Sequence, residues 1–337
     1  MDIWRIKMSR KMKLTAALLV IMMLFAFIGA CAARPEETVT YIGGVYADEA
    51  EPSGITPLMW RVTSPEGNMI YLFGSIHVGA PYIYPLPDYV MAAFLSSDYL
   101  AVEVNAHAEL SMRDIMAMTS LMMYPIGTTI AGTVGQDVFN GMQAHLQANE
   151  AALAAAGLPL AAVLPISRFP VWFSALNVLA AYRAGFHAEY GLDEFFIRQA
   201  SALGMPVLEV ESMREQMEVL ANFSPELQRA LLLSALDTEE MAIGIAALFD
   251  AWAAGDYGTL LSMLLYEVEG LDEELMTEYY ETILRDRDMR MAEVARTYMT
   301  EARSVFFVVG AAHFIGEGSI IYLLERAGYN VELIGAE

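Results

Sequence analysis

The chain reads as an α/β protein in which strand-helix-strand units near its two ends build one central sheet around a largely helical middle region. Three observations predict this. β-prone apolar runs cluster between residues 58 and 104 and again between 305 and 334. Each cluster encloses a short helical segment, and residues 108–300 carry mostly the apolar spacing of amphipathic helices. A hydrophobic content of 56% against 18% charged residues, in 337 residues with 23 methionines, is enough to fill a sizeable core and argues against disorder.

At the N-terminus Arg5, Lys7, Arg10, Lys11 and Lys13 precede a stretch, residues 14–33, with no charge at all. This pattern predicts an export signal, and the uncharged stretch is also long enough to stay in the membrane as a helix. The basic flank keeps the N-terminus inside in either case. Ile28-Gly29-Ala30-Cys31 resembles the lipobox of bacterial lipoproteins, in which the cysteine becomes the lipidated first residue. The expected division is a lipoprotein-type signal over 1–30, an acidic tether over 31–56 and one domain over 57–337. The tether is expected from Pro35, Glu36, Glu37, Asp48, Glu49, Glu51 and Pro52. The expected location is therefore outside the cytoplasm, anchored by lipid or signal helix to the outer face of the bacterial cytoplasmic membrane or to the outer membrane. Cys31 is the single cysteine, so no internal disulfide is available and stability must come from the core or from bound metal.

Residues 58–62 and 69–73 are apolar runs split by Ser64-Pro65-Glu66-Gly67-Asn68, which predicts a hairpin. A helix over 88–95 and a buried strand over 99–104 follow. In the middle region Asp137 is expected to cap a helix that runs to Gly157, and Ser224-Pro225 to open another. Residues 206–211 alternate apolar and acidic, as a half-exposed strand does. The last unit is a strand over 305–309, a helix over 319–327 stopped by Gly328, and a strand over 331–334.

A formal net charge of −23 makes nucleic acid an unlikely class of partner, because an acidic surface repels phosphate backbones. The chemistry is sought at the strand ends. Gly74-Ser75-Ile76-His77 and Gly310-Ala311-Ala312-His313 each follow an apolar strand, and glycine there lets the chain turn so that the histidine projects over the sheet's C-terminal edge. Glu103 lies inside a third, otherwise apolar strand, where a carboxylate must meet a metal, a cation or several donors. Two imidazoles and a carboxylate would suit zinc, manganese, cobalt or iron; a salt bridge from Glu103 to Arg287 is the alternative. In a metal-dependent hydrolase Glu209, Glu211 or Glu317 could shuttle protons and Arg287 could stabilise an oxyanion. His107 follows Glu103 by four residues but need not share a face with it, and His145 and His187 read as solvent-exposed. There is no Gly-x-Ser-x-Gly elbow, no His-Glu-x-x-His helix and no phosphate-binding glycine loop.

Tyr71-Leu72-Phe73-Gly74-Ser75-Ile76-His77-Val78-Gly79, Val102-Glu103-Val104 and Gly310-Ala311-Ala312-His313-Phe314-Ile315-Gly316 together resemble the TraB/GumN family, whose superfamily includes the Tiki metalloproteases. Tyr190-Gly191-Leu192-Asp193, Leu208-Glu209-Val210-Glu211 with Gln216, Trp252-Ala253-Ala254-Gly255-Asp256 and Arg287-Asp288 add to the likeness, which spans roughly 57–335. The resemblance implies a fold related to erythromycin-esterase and ChaN-like proteins. For Tiki members it implies a manganese- or cobalt-dependent peptidase, with the metal roles falling on His77, His313 and Glu103. Asp288 stands where the family often has asparagine. The expected function is a membrane-tethered, metal-dependent hydrolase acting on a peptide or protein; the alternative is a non-catalytic lipoprotein that sequesters a peptide signal or haem.

Overall fold

The computed structural model describes residues 53–155, 166–265, 271–301 and 303–335. Cys31, the signal-like stretch, the tether and Gly157 lie outside them. Six strands form one sheet: β1 (Met59–Thr63), β2 (Met69–Ser75), β3 (Tyr99–Val102), β4 (Val207–Glu209), β5 (Val305–Gly310) and β6 (Asn330–Ile334), in the order β4-β3-β5-β2-β1-β6. The expected hairpin is β1 and β2, antiparallel, and β6 pairs antiparallel with β1 on its other side. From β2 onwards, β2, β5, β3 and β4 are mutually parallel.

The strand-helix-strand units at the two ends do not stay apart. β5 inserts between β2 and β3, so a C-terminal strand separates two N-terminal ones. This insertion creates the site: in the β2–β5 ladder Ser75 lies opposite Gly310, and in the β3–β5 ladder Val102 lies opposite Val308. The strand tails that carry His77, His313 and Glu103 therefore leave one edge side by side.

Helices cover both faces of this parallel core. Phe306 meets Phe94 of the Asp88–Leu95 helix and Phe196 of the Leu192–Leu203 helix. The next residue along the strand, Phe307, points to the opposite face, as strand alternation requires, and meets Tyr298 of the Asp286–Thr300 helix. A π-helical turn, Glu281–Arg285, runs directly into that last helix just before Arg287. Such turns widen a helix locally and often mark functional positions.

Several local expectations change. Asp137 does not cap its helix; it lies in the first turn of Gln136–Ala148 and pairs with Arg229. That helix ends at Asn149, and a second, Glu150–Ala155, follows. β3 ends one residue before Glu103, and β4 covers only Val207–Glu209. Ser224 does cap Pro225–Ala235, accepting from the Leu227 N–H, and Ser319 caps Ile320–Arg326. Among the described residues no helix is long and apolar enough to cross a membrane.

Candidate functional site

Two glycines bring the histidine-bearing turns together, for a reason other than the sharp turn expected of them. Neither Gly74 nor Gly310 has a positive φ. Gly74 is needed for closeness: a Cβ there would stand 3.0 Å from both Cα and Cβ of Ala311, tighter than ordinary contact. The short 3-10 turn Ala311–Phe314, which carries His313, thus packs directly on β2.

Each imidazole is held through Nδ1 by an aspartate from a helix on a different face of the sheet. His77 Nδ1 lies 2.6 Å from Asp193 Oδ2, near the start of the Leu192–Leu203 helix, and Ser75 Oγ donates to the other oxygen, Asp193 Oδ1, at 3.1 Å. His313 Nδ1 lies 2.5 Å from Asp288 Oδ1 on the opposite helix. His77 Nε2 is buried with no hydrogen-bond partner and stands 3.9 Å from Glu103 Oε2.

Glu103, 1% exposed, is gripped by three donors. Its Oε1 takes the Arg287 guanidinium and the Gln216 amide, the latter at 2.7 Å, and its Oε2 takes the Gly310 N–H at 2.8 Å. Oε2 keeps one lone-pair direction, on the His77 side. Arg287 is 0% exposed and bonds from all three of its nitrogens: Nε and Nη2 reach Glu211, Nη2 reaches Glu103, and Nη1 donates to the Ile283 carbonyl at 3.2 Å. The salt bridge weighed for Glu103 is therefore present, and Arg287 holds the two carboxylates together.

The fields inside this cluster separate the histidines. Burial pulls the His77 imidazole down, but the charge and hydrogen bond of Asp193, followed by Glu103, outweigh it and leave its pKa raised. His313 is pushed well below the ordinary imidazole range by burial and then by the charges of Arg287 and His77. Burial drives the Asp288 carboxyl well up, Glu103 and Glu211 add to this, and Arg287 opposes it. Glu103 and Glu211 share the buried guanidinium of Arg287, and Glu211 also meets Arg290 at 3.4 Å.

The remaining candidates lie elsewhere. Glu209 is exposed at the end of β4, accepts the Asn105 N–H at 3.3 Å and has its pKa raised by partial burial. It touches none of His77, Glu103 and His313. Glu211 does not face solvent, as the alternation of 206–211 implied; it is buried against Arg287. Glu317 is exposed. His107 pairs with Glu194 at 2.7 Å, His145 lies 3.5 Å from Thr238 Oγ1, and His187 is half-buried between Tyr182 and Tyr190, so none is simply solvated.

Among the described residues no three His, Cys, Asp or Glu side chains stand close enough together to hold an ion as they are. The donor chemistry nevertheless fits one. Two ligand atoms at roughly 2.0–2.2 Å from a shared ion can be up to about 4.2 Å apart, and the 3.9 Å between His77 Nε2 and Glu103 Oε2 lies within that span. Imidazoles held by a carboxylate on one nitrogen and open at the other are the usual form of metal-ligating histidine.

Parallel strand tails that gather two aspartate-held imidazoles and a buried glutamate define an α/β protein with its polar centre at the C-terminal sheet edge. Residues 58–333 match the TraB/PrgY/gumN family, and the chain belongs to it. It is 25% identical over 315 residues to Metalloprotease TIKI2 of Danio rerio, across 81% of this chain and 60% of the fish protein. With Metalloprotease TIKI1 of Homo sapiens the identity is 24% over 323 residues, across 84% and 63%. Uncharacterized protein YbaP of Escherichia coli is 24% identical over 265 residues, across 78% of this chain and 90% of its own length. The chain thus spans about three fifths of the length of these two TIKI proteins. No solved structure matches.

Proposed function

We propose that this protein is a metal-dependent hydrolase acting on peptides, exported and tethered through the segment that precedes residue 53. Nε2 of His77, Nε2 of His313 and the open side of Glu103 Oε2 would hold a divalent cation, manganese or cobalt by family resemblance, with zinc also admissible. The observation that carries this reading is the buried, partnerless Nε2 of His77 facing a carboxylate oxygen. A buried polar atom without a partner costs about 1–3 kcal/mol, and a cation between the two groups would relieve that cost. The names of the TIKI relatives supply the reaction class.

When bound, such an ion supplies Lewis acidity to the scissile carbonyl. The protein's own groups do the rest. Arg287 and Gln216 draw Glu103 Oε1 away from the centre, so that only Oε2 faces it. Asp193 and Asp288 occupy the Nδ1 atoms, which leaves the Nε2 atoms to work.

The test is elemental analysis of the purified full chain, followed by cleavage of a peptide library with and without chelator. Stoichiometric divalent metal and chelator-sensitive cleavage are expected. His77→Ala and His313→Ala should each lose more than the roughly 10–100-fold typical of removing a ligand's outer partner, with unchanged circular dichroism. Full turnover in either variant would overturn the proposal, and tightly bound haem without cleavage would favour sequestration.

A further inference from the structure

We infer that Asp193 is a positioning residue that sets the tautomer of His77, acting from a bracket formed by residues 187–193. The inference rests on the reading that Nε2 of His77 is the working atom, and it goes beyond it by assigning what keeps that atom free of a proton. A neutral imidazole carries one N–H, and in water that proton prefers Nε2. Asp193 is buried and both its oxygens are engaged: Oδ1 accepts from Ser75 Oγ at 3.1 Å, and Oδ2 lies 2.6 Å from Nδ1. With Oδ1 already accepting from Ser75, Oδ2 is placed to accept Nδ1–H, which leaves Nε2 as a bare lone pair.

The bracket prevents the aspartate from swinging away. The chain leaving β2 and the chain entering the Leu192–Leu203 helix are joined by paired backbone bonds, Gly79 N–H to the His187 carbonyl at 2.9 Å and His187 N–H to the Gly79 carbonyl at 2.8 Å. Leu192 N–H donates to the Ile76 carbonyl at 3.1 Å. Gly191 lies so close to His77 that a Cβ would stand 2.3 Å from the His77 carbonyl oxygen. His77 and its acceptor are therefore parts of one rigid unit, although 116 residues separate them in sequence. The same geometry removes Ser75 from consideration as a nucleophile. Its hydroxyl and the imidazole both bond to Asp193, on different oxygens, so the ring is not placed as its base.

The test reads the tautomer directly and needs neither metal nor substrate. The chain has five histidines, few enough for a ¹⁵N-histidine-labelled, chelator-treated full-length sample to be read by two-bond ¹H–¹⁵N correlation in mildly alkaline buffer, with His77→Gln used for assignment. The expected wild-type pattern for His77 is Nδ1–H. Asp193→Ala removes the acceptor. Asp193→Asn keeps the shape, and with Ser75 still donating to Oδ1 it turns an amide N–H toward Nδ1. Both variants are expected to move His77 to Nε2–H while the signals of His107, His145 and His187 stay in place. Nε2–H in the wild type, or Nδ1–H persisting in whichever variant folds, would overturn the inference. Titration with cobalt(II) separates it from the proposed function. If the tautomer follows Asp193 and no variant binds cobalt, the positioning role stands and the metal reading falls; if both hold, Asp193→Ala weakens cobalt binding by about 10–100-fold.

Discussion

Arg287 is the residue on which the site's cohesion depends. One guanidinium, without solvent exposure, bonds both Glu103 and Glu211 through Nη2, and its stem follows the π-helical turn whose Ile283 carbonyl it also bonds. Removing it leaves two buried carboxylates without their common cation. Arg287→Ala is therefore expected to cost about 3–5 kcal/mol, the range for breaking a buried ion pair from one side. Arg287→Ala combined with Glu211→Gln should cost clearly less than the sum of the two single changes, because the second removes a charge the first has stranded. Urea unfolding of the three variants checks this; strict additivity would show that Glu211 and Arg287 are not energetically coupled. His77, His313 and Glu103 were legible in the sequence because their signal is local: an apolar strand and a polar group at its end. Asp193, Asp288 and Gln216 carried no role there, since what gives them one is contact with residues 116, 25 and 113 positions away. For Arg287 the salt bridge to Glu103 was one reading the sequence offered, and the coordinates contain it.

At the scale of elements, the bracket at 187–193 and the exposed helices respond in opposite ways to the same change. Gly191→Ala forces a methyl group toward the His77 carbonyl oxygen, and the obstacle is backbone, which cannot step aside as a flexible side chain would. Overpacking of this kind costs typically about 1–3 kcal/mol. The displacement falls on the segment that carries Asp193, so turnover should drop with stability. Gly141→Ala is the contrasting case: the glycine is exposed inside Gln136–Ala148, and its new Cβ would meet only Leu236 Cδ1, at 3.7 Å. Ordering a glycine in a helix is entropically costly, so this change should stabilise by about 0.5–1 kcal/mol. Thermal or urea midpoints that fall for Gly141→Ala, or stay level for Gly191→Ala, would contradict this account. The hairpin and the helices opened by Ser224 and Ser319 followed from sequence because caps and turns act over a few residues. The helix around Asp137 did not, because it opens one residue earlier, at Gln136 with Gly135 as its cap, and the Asp137 carboxylate pairs with Arg229 of the Pro225–Ala235 helix.

For the whole molecule, the parallel placement of strands from both ends could be read, but not their order, since no local signal says that β5 lies between β2 and β3. What composition does dictate at this scale is the balance of charge: 42 acidic against 19 basic residues, with the buried guanidinium of Arg287 already committed inside the site. Two effects of added salt then compete. Screening weakens surface ion pairs such as Arg61–Glu332 and Arg229–Asp137, but exposed pairs contribute at most about 1 kcal/mol each and often nothing. Screening also relaxes repulsion among the unpaired carboxylates, which is spread over the surface and opposes the compact state. With more than twice as many acids as bases, the second effect has the larger population to act on. Raising sodium chloride from about 0.1 M to about 1 M shortens the screening length from about 10 Å to about 3 Å, so the urea midpoint of the chelator-treated protein should rise. Arg229→Gln, which deletes one surface pair, should leave that slope nearly unchanged. A midpoint that falls with salt would mean that the exposed pairs outweigh the repulsion and that the acidic surface is locally neutralised in the fold, against what its composition implies.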